Sequence, residues 1–86
     1  MRIYLFLKLI GLAKTRMGAK RLCDLGKVLL GSQTLKPSHE TVVGETLEIV
    51  LPKKKVQIKV RAIPAGKSVS KQDRPLYFET LSSEDW

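Results

Sequence analysis

Basic residues cluster in the stretch from Lys14 to Val43, and their spacing suits the binding of phosphate. Arg16 and Lys20 are four residues apart, so a helix places both side chains on one face. Lys14 lies just before the predicted helix and Lys27 just after it. Cations attract phosphate, and so do the free backbone N–H groups at a helix start. The stretch therefore predicts a surface that grips the phosphate backbone of a nucleic acid.

The positive charge of the chain is concentrated in its first half. The net charge is +8 over 86 residues. Residues 1–36 carry eight cations and one acid, residues 37–65 carry five and three, and residues 66–86 carry three and four. A charge run is often only a solubilising surface. A one-sided field, however, raises the rate of encounter with polyanions, so this asymmetry favours a nucleic-acid partner.

The residue combinations that catalysis or metal binding would need are missing from the sequence. Cys23 is the single cysteine and His39 the single histidine, so they form neither an internal disulfide nor a complete zinc site. His39 stands beside Glu40 in a predicted loop, and no nucleophile is placed near it by a recognisable pattern. A glycine-rich phosphate loop is also missing. We therefore expect a binding module that is not an enzyme and uses no cofactor, metal or small-molecule substrate.

The first segment, MRIYLFLKLIGLA, predicts a helix that contributes to the core. Ile3, Phe6, Leu7 and Ile10 fall on one helical stripe. A basic residue before an apolar run is also typical of a signal peptide. Lys8 interrupts the run, and removing the segment would take away much of a small core, so we favour the helix. The segment is too short for a membrane span, which needs about 20 apolar residues.

The stretch that follows predicts a second helix and a hairpin. Thr15 has a hydroxyl suited to capping the helix start, and Gly26 can adopt the positive φ that ends a helix. A strand over 28–30 follows, and Gly31-Ser32 can form the two-residue turn that folds it back onto 33–35. Lys36-Pro37-Ser38 predicts a turn, because Pro37 fixes φ and has no N–H to donate.

Two further strands are predicted over 46–51 and 56–63, where apolar and polar residues alternate. Lys53-Lys54-Lys55 between them predicts a solvated turn. The sequence thus predicts an α+β domain, with two N-terminal helices packed on a small antiparallel sheet of about four to five strands. The predicted core includes Leu22, Leu25, Val28, Leu30, Leu47, Ile49, Ile58 and Val60.

We expect this domain to span residues 1–63, with residues 64–86 forming a C-terminal tail that is ordered in part at most. Leu76 to Phe78 can add a short strand or dock on the core. The segment from Ser82 to Trp86 is acidic and is expected to fray.

The order and spacing of these features resemble the S4 RNA-binding domain. The resemblance is strong over residues 1–51 and loose over 52–63, and it implies the αL RNA-binding (S4-like) fold. The motifs that carry it are Arg2, Lys14-Thr15-Arg16, Gly26-Lys27-Val28, the hairpin turn with Gln33, Lys36-Pro37-Ser38, and Val43-Gly44-Glu45-Thr46-Leu47.

The chain departs from the family pattern in three places. Tyr4-Leu5 stand where the family usually has an acidic and then a basic residue. The hairpin turn is Gly31-Ser32, where Asn-Gly is usual, and Gly11 stands where a basic residue often ends the first helix. The first and third departures remove charge from the side of the first helix.

The resemblance assigns RNA contacts to eight residues of this sequence. Arg16 and Lys20 bind phosphate from the second helix, and Lys14 and Thr15 hold the backbone at its start. Arg2 reinforces them from the first helix. The hairpin and the turn after it contribute Lys27, Gln33 and Lys36.

In length the chain is similar to the free-standing bacterial carriers of this domain, the fifteen-kilodalton heat-shock protein and the RqcP-type quality-control factors. This similarity implies a protein that binds ribosomal RNA and tRNA on the large ribosomal subunit that holds peptidyl-tRNA after a stalled ribosome is split. The free cysteine and the lack of a credible signal peptide favour the cytoplasm, and we expect a monomer that binds no membrane. Two alternatives stay open. The protein can be a general RNA-binding regulator or chaperone, or a protein–protein adaptor that uses Tyr4-Leu5 and Tyr77-Phe78 as its surface.

Overall fold

The computed structural model describes residues 1–66 and 68–85, which form two helices and one five-stranded antiparallel sheet. The order of strands across the sheet is β2-β1-β3-β4-β5. A 3₁₀ turn, Arg74–Leu76, precedes the last strand. The predicted α+β architecture is confirmed. The elements are α1 (Ile3–Leu9), α2 (Arg16–Asp24), β1 (Val28–Leu30), β2 (Gln33–Thr34), β3 (Thr46–Val50), β4 (Lys54–Val60) and β5 (Phe78–Asp85).

Helix α1 lies in the core. Ile3, Phe6 and Leu7 are 0% exposed and Ile10 is 3% exposed, so the predicted apolar stripe is confirmed. These side chains belong to one cluster with the inward residues of β1, β3 and β4. Burying an aliphatic or aromatic side chain of this size stabilises the fold by about 1.5–3 kcal/mol. Helix α1 therefore joins the helical layer to the sheet.

Helix α2 begins and ends at the predicted residues, but it buries a different face. Thr15 caps its start, and Gly26 follows its end with a φ of +73°. The helix buries the small side chains of Ala19 and Cys23. Leu25 was predicted to be a core residue, and this prediction is wrong: at about 3.6 residues per turn it lies on the side of the helix opposite Cys23, and it is 62% exposed.

Cys23 is a buried thiol, as the sequence predicts. Its side chain belongs to the core cluster, and burial raises the pKa of the thiol to about 11, with a smaller contribution from the neighbouring Asp24 carboxylate. A thiol with a raised pKa is a poor nucleophile at neutral pH. The role of Cys23 in the described structure is packing.

The hairpin of β1 and β2 has the predicted two-residue turn. Leu30 pairs with Gln33, and Gly31 between them has a φ of +64°. The chain then continues to the buried Leu35, whose N–H donates to the carbonyl of Val28 at 2.9 Å. The hairpin therefore stays attached to the core on both sides of its turn.

Strand β4 is shifted relative to the prediction. It was expected over 56–63 and runs over Lys54–Val60, so Lys54 and Lys55 lie in the strand and not in a solvated turn. Its inward residues alternate as predicted. The regular pairing with β5 stops after Val60, where the N–H groups of Arg61 and Ala62 both donate to the Tyr77 carbonyl, at 2.8 and 3.3 Å.

Strand β5 corrects the prediction of a fraying end between Ser82 and Trp86. Residues 82–85 pair with β4 along the edge of the sheet, while the last residue lies outside the described residues. The register sets Lys54 opposite Asp85 and Lys59 opposite Glu79. Opposite charges across two antiparallel strands stabilise their pairing. The acidic character of this segment therefore complements the basic strand beside it.

The loop of residues 37–45 is held together by one carboxylate. The Oε1 atom of Glu45 accepts from the hydroxyl of Thr41 at 2.7 Å and from the N–H of Val42 at 3.1 Å. Its Oε2 atom lies 2.9 Å from Nε2 of His39, so this loop histidine is half-buried and partnered. Partial burial raises the pKa of Glu45, but the hydrogen bonds outweigh it and hold the pKa below the ordinary 4.5.

The same loop fastens the start of α1. The N–H of Ile3 donates to the His39 carbonyl at 2.7 Å, and the N–H of Thr41 donates to the Met1 carbonyl at 2.9 Å. Backbone bonds of this kind pair the residues before α1 with the loop as in a short sheet. The position of α1 thus depends on the conformation that Glu45 imposes.

We predict that Thr41→Val lowers the free energy of unfolding by about 1.5–3 kcal/mol, because Glu45 loses its closest donor while the shape of the side chain is kept. Urea unfolding measures this loss as a lower midpoint with an unchanged slope. Thr80→Val, at an exposed position in β5, is the control and should unfold as the wild type does. Equal midpoints for all three proteins would contradict the role of the loop.

We also predict an acid dependence that belongs to Glu45. Its pKa is lower in the folded state than the ordinary 4.5, so its contribution to stability is complete above that pH and is lost as pH falls through the folded value. The difference in unfolding free energy between the wild type and Glu45→Gln should therefore shrink below pH 4.5. Urea titrations at a series of pH values measure it, and a difference that stays constant into acid would refute the assignment.

Candidate nucleic-acid interface

The outward face of α2 is basic. Arg16, Lys20 and Arg21 are all exposed, with Met17 and Asp24 beside them. Arg16 and Lys20 share the face that their spacing predicts, because one helical turn separates them. No salt bridge within residues 1–66 and 68–85 involves the cations of this face. Their charge is therefore available to an external anion.

The start of α2 adds polar groups to this face. The N–H of Gly18 donates to Oγ1 of Thr15 at 2.9 Å, which leaves the hydroxyl hydrogen of Thr15 able to donate to another group. Lys14 and Thr15 are both exposed. The positive end of the helix dipole lies at the same place. A phosphate at this point would meet two kinds of attraction, the cations and the helix end.

Tyr4 orients one of the cations of α2, a contact that the sequence analysis did not find. The ammonium of Lys20 lies over the Tyr4 ring, 4.7 Å from its centroid. Such cation–π pairs stabilise by about 0.5–1 kcal/mol at exposed sites. The two residues lie on different helices, so spacing along one helix could not reveal the contact. It places the ammonium at the junction of α1 and α2.

Seven of the eight predicted residues line four surface depressions and one cleft. Thr15 and Lys20 lie around one depression, together with Arg21, and Gln33 and Lys36 lie around another beside β2. The remaining residues are spread around these two groups. Arg16 lies at a third depression, Lys27 at a fourth beside Pro52, Lys14 at the cleft that borders Gly11, and the exposed Arg2 at the start of α1.

Arg21 is the cation that the sequence analysis passed over on this face. It is exposed and lines the same depression as Lys20. The positive charge at this depression is thus larger than Lys20 alone would give. Plotting the cations of α2 on a helical wheel would have shown that Arg21 lies next to Lys20.

The two apolar pairs proposed for a protein–protein adaptor are not exposed. Tyr4, Tyr77 and Phe78 are half-buried and pack against the core, and Leu5 is half-buried as well. They are therefore part of the packing and offer little surface to a partner.

Residues 1–66 and 68–85 contain no group of three or more histidine, cysteine or acidic side chains placed to hold a metal ion. Within the same ranges, neither helix has the length and apolar character needed to cross a bilayer.

Comparison of sequences finds two curated relatives that span nearly the whole chain. Both are proteins of Helicobacter pylori with the name RQC P-site tRNA stabilizing factor, one from strain 26695 and one from strain J99. They are 34% and 33% identical over 84 residues, which cover 98% of this chain and 100% of each relative. No family model matches the chain.

Comparison of structures finds the same architecture in two solved proteins. The solution structure of the hypothetical protein HP1423 has a TM-score of 0.80 and 34% identity, covering 95% of this chain and 98% of that one. The trimeric Heat Shock Protein 15 of Vibrio cholerae has a TM-score of 0.87 and 20% identity, covering 95% and 82%. The second match concerns the fold alone, and it confirms the S4-like architecture expected from the sequence.

We predict that Thr15→Ala lowers the free energy of unfolding by about 1 kcal/mol, because the N–H of Gly18 loses its acceptor at the helix start. Thr15→Ser keeps the oxygen and should stay close to the wild type. Urea unfolding compares the three proteins. If the alanine and serine variants unfold at the same midpoint, the cap does not stabilise α2.

Proposed function

The chain belongs to the family of RQC P-site tRNA stabilizing factors, and we propose that it acts in ribosome quality control by binding RNA on the large ribosomal subunit that holds an obstructed peptidyl-tRNA. The S4-like resemblance deduced from the residues is in agreement with this membership. The protein would contribute affinity and position, with no chemical step of its own.

One observation carries the proposal, and it is the basic exposed face of α2 with its capped start. Arg16 and Lys20 project from a helix whose other face is buried through Ala19 and Cys23. A cation on such a rigid support loses less freedom on binding than one on a loop. Neutralising phosphates also releases the counterions of the RNA, which favours binding. The face is therefore suited to holding an RNA backbone.

A factor that steadies one RNA against another needs two surfaces. The depression at Thr15 and Lys20 and the depression at Gln33 and Lys36 are separate, and both have polar or basic margins. We infer that one surface contacts ribosomal RNA and the other contacts tRNA. Recognition would depend on phosphates and shape, as is usual for folded RNA.

The eight predicted contact residues remain our proposal for this interface. Arg16, Lys20, Lys14 and Thr15 form its centre at α2. Arg2 extends it along α1, and the hairpin side contributes Lys27, Gln33 and Lys36. A monomer in the cytoplasm would be enough for this role. A general RNA-binding regulator would use the same face, and the specificity of binding separates the two roles.

We predict selective binding to the obstructed large subunit. Purified protein is sedimented with free large subunits, with intact ribosomes and with large subunits that carry peptidyl-tRNA. Co-migration should be strongest with the last of these, because only that particle offers both RNAs at once. Equal binding to all three would reduce the role to general RNA affinity, and no co-migration at low salt would remove the ribosome as partner.

The same assay tests the interface. Arg16→Glu with Lys20→Glu should abolish co-migration, because two attractive charges become repulsive at the centre of the face. Lys53→Glu with Arg61→Glu is the matched control, since it also reverses one lysine and one arginine, at exposed positions outside the paired strands. Circular dichroism should show that both variants fold. If the α2 variant binds as the control does, the interface lies elsewhere.

A further inference from the structure

A cleft of about 440 Å³ lies between the end of α1 and the segment that precedes β5. Its walls come from α1, from the link between α1 and α2, and from residues 68–74. The third wall belongs to the part of the chain that was expected to be a tail. Its polar lining consists of Lys8, Lys14, Ser68, Lys71 and Arg74.

Arg74 is held in this cleft by close packing. Its guanidinium lies against Gly11, where a Cβ atom would come within 2.5 Å of Nη1 and 2.8 Å of Cζ. Gly11 also has a φ of +86°, a backbone conformation that residues other than glycine rarely adopt. Two independent features therefore keep this position open, and Arg74 occupies the space. Arg74 therefore places a positive charge at the end of α1, where Gly11 itself carries none.

The Nε atom of Arg74 is buried and has no hydrogen-bond partner within residues 1–66 and 68–85. Buried donors are almost always paired, because an unpaired one loses its hydration without compensation. The described residues that line the cleft include no acidic side chain. The guanidinium and the three lysines thus lack a counter-charge from the chain that the structure describes.

We propose that this cleft binds a phosphate group of the RNA backbone, as a contact additional to the face of α2. The planar fork of an arginine matches two oxygens of a phosphate, lysines add charge, and the hydroxyl of Ser68 can donate a hydrogen bond. This inference rests on the proposed function, because it takes RNA as the source of the phosphate.

The cleft lies next to the basic face of α2, and this position favours an RNA strand over a small anion as its ligand. Lys14 lines the cleft and also directly precedes α2. Lys8 lines the cleft and, on its other side, the depression of Arg16. Lys8 therefore connects the depression of Arg16 with the cleft of Arg74. An RNA strand held at α2 would reach the cleft along this path.

The first test is the salt dependence of RNA binding. Affinity for tRNA is measured at several salt concentrations for the wild type and for Lys71→Gln with Arg74→Gln. The slope of log affinity against log salt should become shallower by about 0.7–0.9, the value for one lost phosphate contact. Lys53→Gln with Arg61→Gln removes the same charge at exposed positions elsewhere and should keep the wild-type slope. A cleft variant with the control's slope overturns the proposal.

Arg74→Gln removes a packed side chain, so the single variant Lys71→Gln and the wild type give a second test. Lys71 is exposed, and its replacement should raise the dissociation constant for tRNA without changing the unfolding midpoint. In the wild type, the amide resonances of Gly11, Ser68 and Val69 should shift on addition of a short RNA. Inorganic phosphate is titrated separately as the free-anion probe.

These outcomes are distinct from those of the proposed function. Shifts with RNA support the cleft as a backbone site. Shifts with inorganic phosphate alone overturn it in favour of a small-anion site, and no shifts with either overturn it altogether. If Arg16→Glu with Lys20→Glu abolishes binding while the cleft variants do not alter it, the proposed function stands and this inference fails.

Discussion

The hydrogen bonds of the Glu45 carboxylate are the constraint on which the rest of the structure depends. They set the shape of the loop at 37–45, and that loop pairs with the residues before α1 through the bonds at Ile3 and Thr41. Helix α1 in turn carries much of the core and supports α2. A local polar network therefore determines where the basic face of α2 is presented.

The parts of the fold that the sequence predicts are those with a local signal. The apolar stripe of α1 is a matter of periodicity, and the cap at Thr15 and the turn at Gly31 are matters of residue type at one position. Leu25 was placed in the core on the wrong helical stripe, because packing against the rest of the fold buries the side of α2 that carries Ala19 and Cys23. Strand ends fail for a related reason: partners distant in sequence decide where pairing stops, as Tyr77 does for β4.

The parts of the candidate interface that the sequence misses are contacts between distant segments. The stacking of Lys20 on Tyr4 joins two helices, and the approach of Arg74 to Gly11 joins positions more than sixty residues apart. Neither has a periodic pattern. The position of Gly11 is nevertheless informative in retrospect, because a glycine where related domains have a basic residue leaves room for a cation from elsewhere. Loss of charge in a sequence need not mean loss of charge in space.

Strand β5 forms one edge of the sheet, and its outer side is not paired in the described structure. An edge strand of eight residues is long enough to act as a template for a strand from another molecule. Glu79, Glu84 and Asp85 lie on it, and two such strands brought together would set like charges near one another. The acids that attract β4 within the molecule thus discourage edge-to-edge pairing between molecules.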